Sequence, residues 1–256
     1  MKKQLCVYLC LVLAIVSIQG QNSEQKTRTV RRTTIEQKTA ITIIEQNEDF
    51  AVSEKQQEFY FIEEAFPQDN NRWLATLEGY CTNTKKSNLE NLFYDFWKTA
   101  NELGANSFYI DDFYNTPDSI SVTISVFNLT EKELDENYAL YPCNNLYVFG
   151  DLITSPSNKG RNFTVNKEKI TVYPLSYYLY RSDEGEKVNI SIGGVFGSGY
   201  TRKAEANKPS IYLSLGGLKV RPGITPGGAG LSFSTGSIFP LDMNFGQFLV
   251  EILKDE

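Results

Sequence analysis

The sequence predicts an α+β protein: a ferredoxin-like βαββαβ domain with a leading strand, followed by an all-β, sandwich-like domain. Three observations support this prediction. Residues 87–103 have the apolar periodicity of a helix. Residues 73–150 alternate β-rich and helical segments in the order β-α-β-β-α-β. After residue 161, short β-rich segments alternate with glycine turns, which is typical of sandwiches and small barrels.

The first 57 residues are predicted to precede the folded domains. Residues 1–20 contain two lysines, then an apolar run, then small or polar residues, which is the pattern of a secretory signal peptide. The alternative, an N-terminal membrane anchor, needs a longer apolar run. Residues 21–57 are polar and are predicted to be a disordered linker, although residues 40–44 could form an edge strand. A basic run from residue 26 to 32 leaves open an arm that contacts anionic lipid or polysaccharide.

Two capped helices are predicted within the first domain, residues 58–153. The apolar face of the longer helix is formed by Leu89, Leu92, Phe93, Phe96, Trp97, Ala100 and Leu103. Ser87 and Glu90 have the spacing of a capping box, and Gly104 favours the left-handed conformation that ends a helix. A second capping box, Thr130 with Glu133, predicts a short helix that ends near residue 139.

Strands are predicted where β-formers recur in short runs. In the first domain these runs are residues 59–62, 73–80, 107–113, 119–127 and 146–149. Without the leading strand, two right-handed crossovers would give the strand order 4-1-3-2. In the second domain, residues 154–256, the runs are 163–165, 169–173, 176–180, 187–192, 210–215, 231–234 and 248–253.

The two cysteines outside the leader, Cys81 and Cys143, are expected to form a disulfide. Cys81 ends the first strand of the ferredoxin-like unit and Cys143 precedes the last. In the order 4-1-3-2 those strands are antiparallel neighbours, and an exported protein favours the bond. It would stabilise the fold by about 4 kcal/mol in the chain-entropy model. The alternative, a redox-active pair, lacks the usual CxxC spacing.

The composition excludes several classes of function. The chain has no histidine, which excludes Ser-His-Asp and Cys-His catalysis and most zinc sites. The net charge is −6, so nucleic acid is not an expected partner. No cofactor fingerprint occurs, so no cofactor is predicted. No second apolar stretch approaches the length of a membrane span, so after leader removal the protein is not expected to be integral to the membrane.

Two groups of side chains are candidate sites. The predicted ligand-binding residues are Tyr173, Tyr177, Tyr178, Tyr180 and Arg181, because tyrosines beside an arginine suit sugar stacking or a protein interface. The alternative is a strand with one face in the core. The predicted cation-binding residues are Asp111, Asp112 and Asp118, whose carboxylates suit calcium. They lack an ordered ligand spacing, so a solvated acidic turn is the alternative.

One segment resembles a known group of domains. Residues 100–110, A-N-E-L-G-A-N-S-F-Y-I, are similar to the helix-to-strand junction of small bacterial envelope domains of the YbjQ-like and Rcs stress-sensor lipoprotein kind. In those families a helix ends in an L-G-A-N-type turn before a central strand. The resemblance implies an envelope module without catalysis. The lipidation cysteine and the second half of the chain depart from those families.

We therefore predict an exported, non-catalytic binding or assembly module of the bacterial envelope, in the periplasm or at the cell surface. Its expected partner is an envelope protein or a surface glycan. One alternative is a secreted, glycosidase-like hydrolase that pairs Asp111 or Asp112 with an acid from the second domain. Another is an accessory subunit of an envelope assembly, which docks through the basic arm or the final strand.

Overall fold

The computed structural model describes residues 39–47, 58–67, 72–82, 88–116, 119–152, 159–193, 198–215 and 238–253. The chain from Thr39 to Glu256 forms one compact unit, in which the described residues build three sheets and three helices. The predicted signal peptide, residues 1–20, lies outside the described residues. So does most of the predicted linker, residues 21–57.

The first sheet has five strands. Their order across the sheet is β1 (Thr39–Gln46), β3 (Trp73–Cys81), β5 (Ile120–Phe127), β4 (Ser107–Asn115) and β2 (Tyr60–Phe61). The four longer strands pair antiparallel, and the short β2 pairs parallel with β4. In β5 the apolar residues alternate with serine and threonine, so one face of the sheet is apolar. The other face is polar except at the end near Phe127, where Trp73 and Tyr109 join a small apolar cluster.

Three helices accompany this sheet. They are α1 (Leu89–Glu102), α2 (Glu131–Tyr138) and α3 (Met243–Ile252). The capping residue of α1 is Asn88, whose side chain accepts a 3.0 Å hydrogen bond from the backbone N–H of Asn91. The predicted cap, Ser87, lies outside the described residues. The predicted capping box of α2 is confirmed, because Thr130 and Glu133 each accept from the other's backbone N–H.

The second and third sheets pack against each other through one hydrophobic core, an arrangement consistent with a sandwich. The second has the order β13 (Phe239–Pro240), β12 (Ile211–Ser214), β6 (Asn145–Phe149) and β9 (Tyr177–Arg181). The third has the order β11 (Ser198–Lys203), β10 (Lys187–Ile192), β7 (Arg161–Val165) and β8 (Glu168–Val172). The predicted strand at residues 231–234 lies outside the described residues.

Two large hydrophobic cores lie on opposite faces of the second sheet. Tyr147 and Phe149 of β6 face α1, α3 and the apolar face of the first sheet. Leu146 and Val148 of the same strand face the third sheet. Successive strand residues point to opposite faces, so this five-residue strand joins both cores.

The ferredoxin-like strand order is not confirmed. The strands β3, β5 and β4 are neighbours as predicted, but β1 rather than β6 lies beside β3. Four of the five residues of β6 are buried, so it suits the middle of a sheet covered on both faces. It pairs with β9 and, in parallel, with β12, both of which belong to the predicted second domain. Pairing therefore crosses the boundary predicted between residues 153 and 154.

Two further differences concern single elements. Residues 248–253, predicted as a strand, belong mostly to helix α3, because Asp242 caps the helix and accepts from the N–H groups of Asn244 and Phe245. Residues 39–46, within the predicted disordered linker, form β1 and pair with β3. The edge strand expected at residues 40–44 is therefore present.

The predicted disulfide is also absent from the structure. Cys81 is buried and Cys143 is exposed, and both are unbridged. The prediction placed the last strand of the unit beside the first. Cys81 instead lies in register with Thr39 and Ile120. Cys143 pairs through its backbone with Pro209, in an isolated antiparallel β-bridge. Different elements therefore surround the two thiols.

Candidate functional site

The polar side of the first sheet is the candidate functional site, and we call it the open face. Its members point away from α1 and α3 and are exposed or half-buried. They belong to four neighbouring strands, so they cover a continuous surface. The residues of the open face are Ala40, Thr42, Glu45, Thr76, Glu78, Tyr80, Asp111, Asp112, Tyr114, Ser121, Thr123 and Ser125.

Two tyrosines define one end of the open face. Tyr80 of β3 and Tyr114 of β4 are both in register with Ser121 of the intervening strand, so the three side chains point the same way. Their exposed fractions are 42% for Tyr80 and 66% for Tyr114. Adjacent strands lie about 4.8 Å apart, which places the two tyrosine backbones about 10 Å apart. Two aromatic side chains thus flank a hydroxyl on a wide, shallow surface.

Hydroxyl and carboxylate groups fill the remainder of the open face. The next row across the sheet contains Thr42, Glu78, Thr123 and Asp112. Ser121 donates a long hydrogen bond, 3.5 Å, to Oε1 of Glu78. Ser125 donates to Oδ2 of Asp111 at 2.8 Å. These bonds help to orient two of the four carboxylates.

The predicted cation site is only partly described. A register shift between Ile110 and Asp112 leaves Asp111 as the extra residue of a β-bulge. Burial raises the pKa of Asp111, the hydrogen bond from Ser125 opposes the rise, and the charge of Asp112 adds to it. Asp118 lies outside the described residues. Among the side chains that the structure does describe, no group of three potential ligands is arranged to hold a metal ion.

The predicted tyrosine site is divided between different surroundings. Tyr177 packs against the first core, whereas Tyr178 and Tyr180 pack against the second. The hydroxyl of Tyr180 donates to Oε1 of Glu186 at 2.5 Å. Tyr173, between β8 and β9, is 56% exposed, and Arg181 is exposed at the end of β9. The structure therefore does not bring the four tyrosines to one surface.

The open face could have been found from the alternation of its strands. Ser121, Thr123 and Ser125 identify the polar side of β5 directly. Tyr114 was missed because the predicted strand ended at residue 113, whereas β4 continues to Asn115. Tyr80 was missed because it was the last residue of the predicted strand, where the alternation of polarity gives no further residue to confirm its face.

No family model, curated protein or solved structure matches this chain. Residues 100–110, the segment that resembles the envelope domains, form a helix-to-strand junction. Helix α1 ends at Glu102, Gly104 has a left-handed φ of 82°, and β4 begins at Ser107. The resemblance of this segment to those domains stays a prediction. Within the described part of the chain, no helix has the length and apolar character needed to cross a bilayer.

Two concave regions lie elsewhere. An acidic cleft is lined by Phe61, Glu63, Glu64, Tyr109, Ile110 and Glu251. The side-chain amide of Gln247 donates to Oε1 of Glu63 at 3.4 Å, which ties α3 to one wall of this cleft. A small, more apolar pocket is lined mainly by Tyr138, Tyr141, Pro142, Pro209 and Tyr212. Asp111 and Asp112, the acids predicted for a hydrolase, line neither region.

Proposed function

We propose that this protein is an exported, non-catalytic binding module of the bacterial envelope, and that it binds a glycan on the open face. The observation that carries the proposal is the row Tyr80–Ser121–Tyr114. Two exposed tyrosines stand on a rigid sheet, about 10 Å apart and separated by a hydroxyl. The leader pattern of residues 1–20 supports export.

The chemistry of the open face suits sugars. A tyrosine ring offers an apolar surface to the C–H face of a pyranose and a hydroxyl to solvent. Serine and threonine both donate and accept hydrogen bonds, and carboxylates accept them, so the surrounding groups complement sugar hydroxyls. The spacing of the two tyrosine backbones is comparable to the length of a disaccharide. A shallow face also accommodates a chain that continues beyond the contact.

Alanine variants of the two tyrosines test this proposal. We expect Tyr80→Ala and Tyr114→Ala each to weaken glycan binding by about tenfold, because each removes one stacking surface worth about 1–1.5 kcal/mol. The measurement is isothermal titration calorimetry with hexasaccharides chosen by affinity electrophoresis. Circular dichroism establishes that each variant is folded.

Tyr173→Ala is the matched control. Tyr173 is as exposed as the two tested tyrosines but lies between β8 and β9, away from the first sheet. Unchanged binding in this variant, with losses in the other two, supports the open face. Binding lost only in Tyr173→Ala would move the site to the other end of the chain. No glycan retained by the unaltered protein would refute the proposal.

A carboxylate-dependent hydrolase is the second candidate, because Glu63, Glu64 and Glu251 line one cleft. Glycoside hydrolysis needs two carboxyl groups on opposite sides of the scissile bond. If the cleft is catalytic, Glu251→Gln abolishes the release of reducing ends from a polysaccharide panel, whereas Tyr114→Ala only raises KM. Equal and negligible release of reducing ends by the unaltered protein and by Glu251→Gln would contradict this candidate function.

An accessory subunit of an envelope assembly is the third candidate. Ile43 and Ile44 of the edge strand β1 are both exposed, and an exposed apolar edge favours pairing with another protein. A stoichiometric partner that is recovered from solubilised envelope, and is lost on Ile44→Lys, would favour this role. Recovery unchanged by Ile44→Lys would count against the edge.

A further inference from the structure

We infer that the open face recognises a glycan that carries positively charged amino groups. This inference rests on the proposed function and specifies its ligand class. Four carboxylates, those of Glu45, Glu78, Asp111 and Asp112, belong to the open face. None of the described residues of that face is cationic. The ligand that complements this charge is a cationic one.

The carboxylates are distributed in a way that suits a polymer. They come from three strands and occupy two successive rows, about 7 Å apart along the strands: Glu78 and Asp112 lie in one row, and Glu45 and the bulge residue Asp111 lie in the next. Such spacing prevents the carboxylates from converging on one ion, in agreement with the finding that no described group of three ligands could hold a metal. A chain with an amino group on successive sugars would instead meet one carboxylate after another.

The two tyrosines add a second preference for positive charge. The face of an aromatic ring attracts an ammonium group, and this attraction persists at exposed positions. A neutral sugar gains stacking from Tyr80 and Tyr114 but gains nothing from the negative field. An acidic sugar is repelled by the carboxylates. The three glycan classes should therefore bind in the order cationic, neutral, acidic.

The test is a comparison of three oligosaccharides on the whole chain. We expect a β-1,4-linked glucosamine hexamer to bind about tenfold more tightly than its N-acetylated counterpart, because several weak exposed ion pairs act together. An oligogalacturonate should bind more weakly than either. The preference should decrease as salt is added, and it should disappear when the pH is raised until the amines lose their charge.

Charge-neutral variants locate the effect. We expect Glu78→Gln and Asp112→Asn to reduce the affinity for the glucosamine hexamer by a clearly larger factor than the affinity for the N-acetylated hexamer, because only the charged ligand loses an ion pair. Glu184→Gln is the control, since Glu184 is exposed in the turn between β9 and β10. Its affinities for both hexamers should equal those of the unaltered protein.

The outcomes separate this inference from the proposal beneath it. Equal affinity for the amine and its N-acetylated counterpart would overturn the inference and leave glycan binding intact. A preference for the amine that survives both variants would also overturn it, because the charge would then act elsewhere. Failure of all three oligosaccharides, and of every other glycan tested, would refute the proposed function itself.

Discussion

At Gly79, helix α1 lies so close to the first sheet that a larger side chain would collide with it. A Cβ atom there would lie 2.3 Å from Cζ of Phe96 and 2.6 Å from Cδ1 of Leu92. We expect Gly79→Ala to reduce the free energy of unfolding by about 1–3 kcal/mol, the usual effect of overpacking a core. Urea denaturation measures it. Gly199→Ala is the control, because the nearest atom there is 3.5 Å away, and equal effects in both variants would contradict the packing explanation.

The two cysteines should differ in reactivity. Cys143 is exposed, whereas Cys81 is buried in the first core. A maleimide should therefore label Cys143 in the native protein and Cys81 only after denaturation, with the labelled residues identified by mass spectrometry. Labelling of neither cysteine before reduction would mean that a disulfide forms after all.

Asp111 makes stability depend on pH. Burial raises the pKa of its carboxyl group in the folded state, so the folded protein holds this proton more tightly than the unfolded chain. Stability should therefore fall as the pH rises from the unfolded pKa through the folded pKa. We expect Asp111→Asn to remove this dependence. The pH-dependent change in the free energy of unfolding that it removes should be less than about 1 kcal/mol, because the side chain is partly solvated. Denaturation midpoints at a series of pH values measure it, and an unaltered profile in the variant would contradict the assignment.

Among the elements, α2 depends most visibly on its cap. Burial alone would raise the pKa of Glu133, but hydrogen bonds from Thr130 and the nearby Arg72 lower it overall. The stabilisation that the ionised Glu133 contributes to folding is therefore present above the unfolded pKa of this carboxyl group, and it is lost as the pH falls through the folded pKa.

We expect Thr130→Ala to destabilise the protein by about 1 kcal/mol, because it removes the cap of α2. Urea denaturation measures this change. Thr130→Ser retains the cap and should behave as the unaltered protein does.

The predictability of each element follows from how much of its pattern is local. The helix α2 and the strand β5 were predicted because capping boxes and strict alternation occupy a few adjacent residues. Helix α3 was mistaken for a strand because a short apolar run fits both periods. The spacing of Phe245, Phe248, Leu249 and Ile252, all buried after the Asp242 cap, is the signal that distinguishes them. Only part of the open face could be predicted. Its hydroxyl residues on β5 alternate regularly with apolar residues, but its tyrosines lie near strand ends, where the alternation stops.

For the whole molecule, partners of strands were harder to predict than strands. The sequence indicates that residues 146–149 form a strand, but nothing local specifies that β6 pairs with β12 rather than with β3. The parallel register of Ile211 with Leu146 joins residues far apart in the chain. The absence of polar alternation in β6 was the available clue, because a strand buried on both faces belongs inside a sheet.

A fragment of the chain tests whether the predicted second domain depends on β6. Residues 154–256, predicted as an independent domain, lack β6, which lies between β12 and β9. We expect this fragment to show no cooperative thermal unfolding by circular dichroism, whereas residues 39–256 should unfold in one transition. Cooperative unfolding of the short fragment would support the predicted boundary.

The position of β6 also sets the order in which the nascent protein can fold. The long strands of the first sheet, together with α1, are complete once residue 127 has been synthesised. Strand β6 follows soon afterwards, but its neighbours β9 and β12 are made much later, and α3, which covers one face of that sheet, is the last helix of the described chain. Until then β6 exposes two apolar faces, so a chaperone that keeps the nascent chain from aggregating would act on this strand.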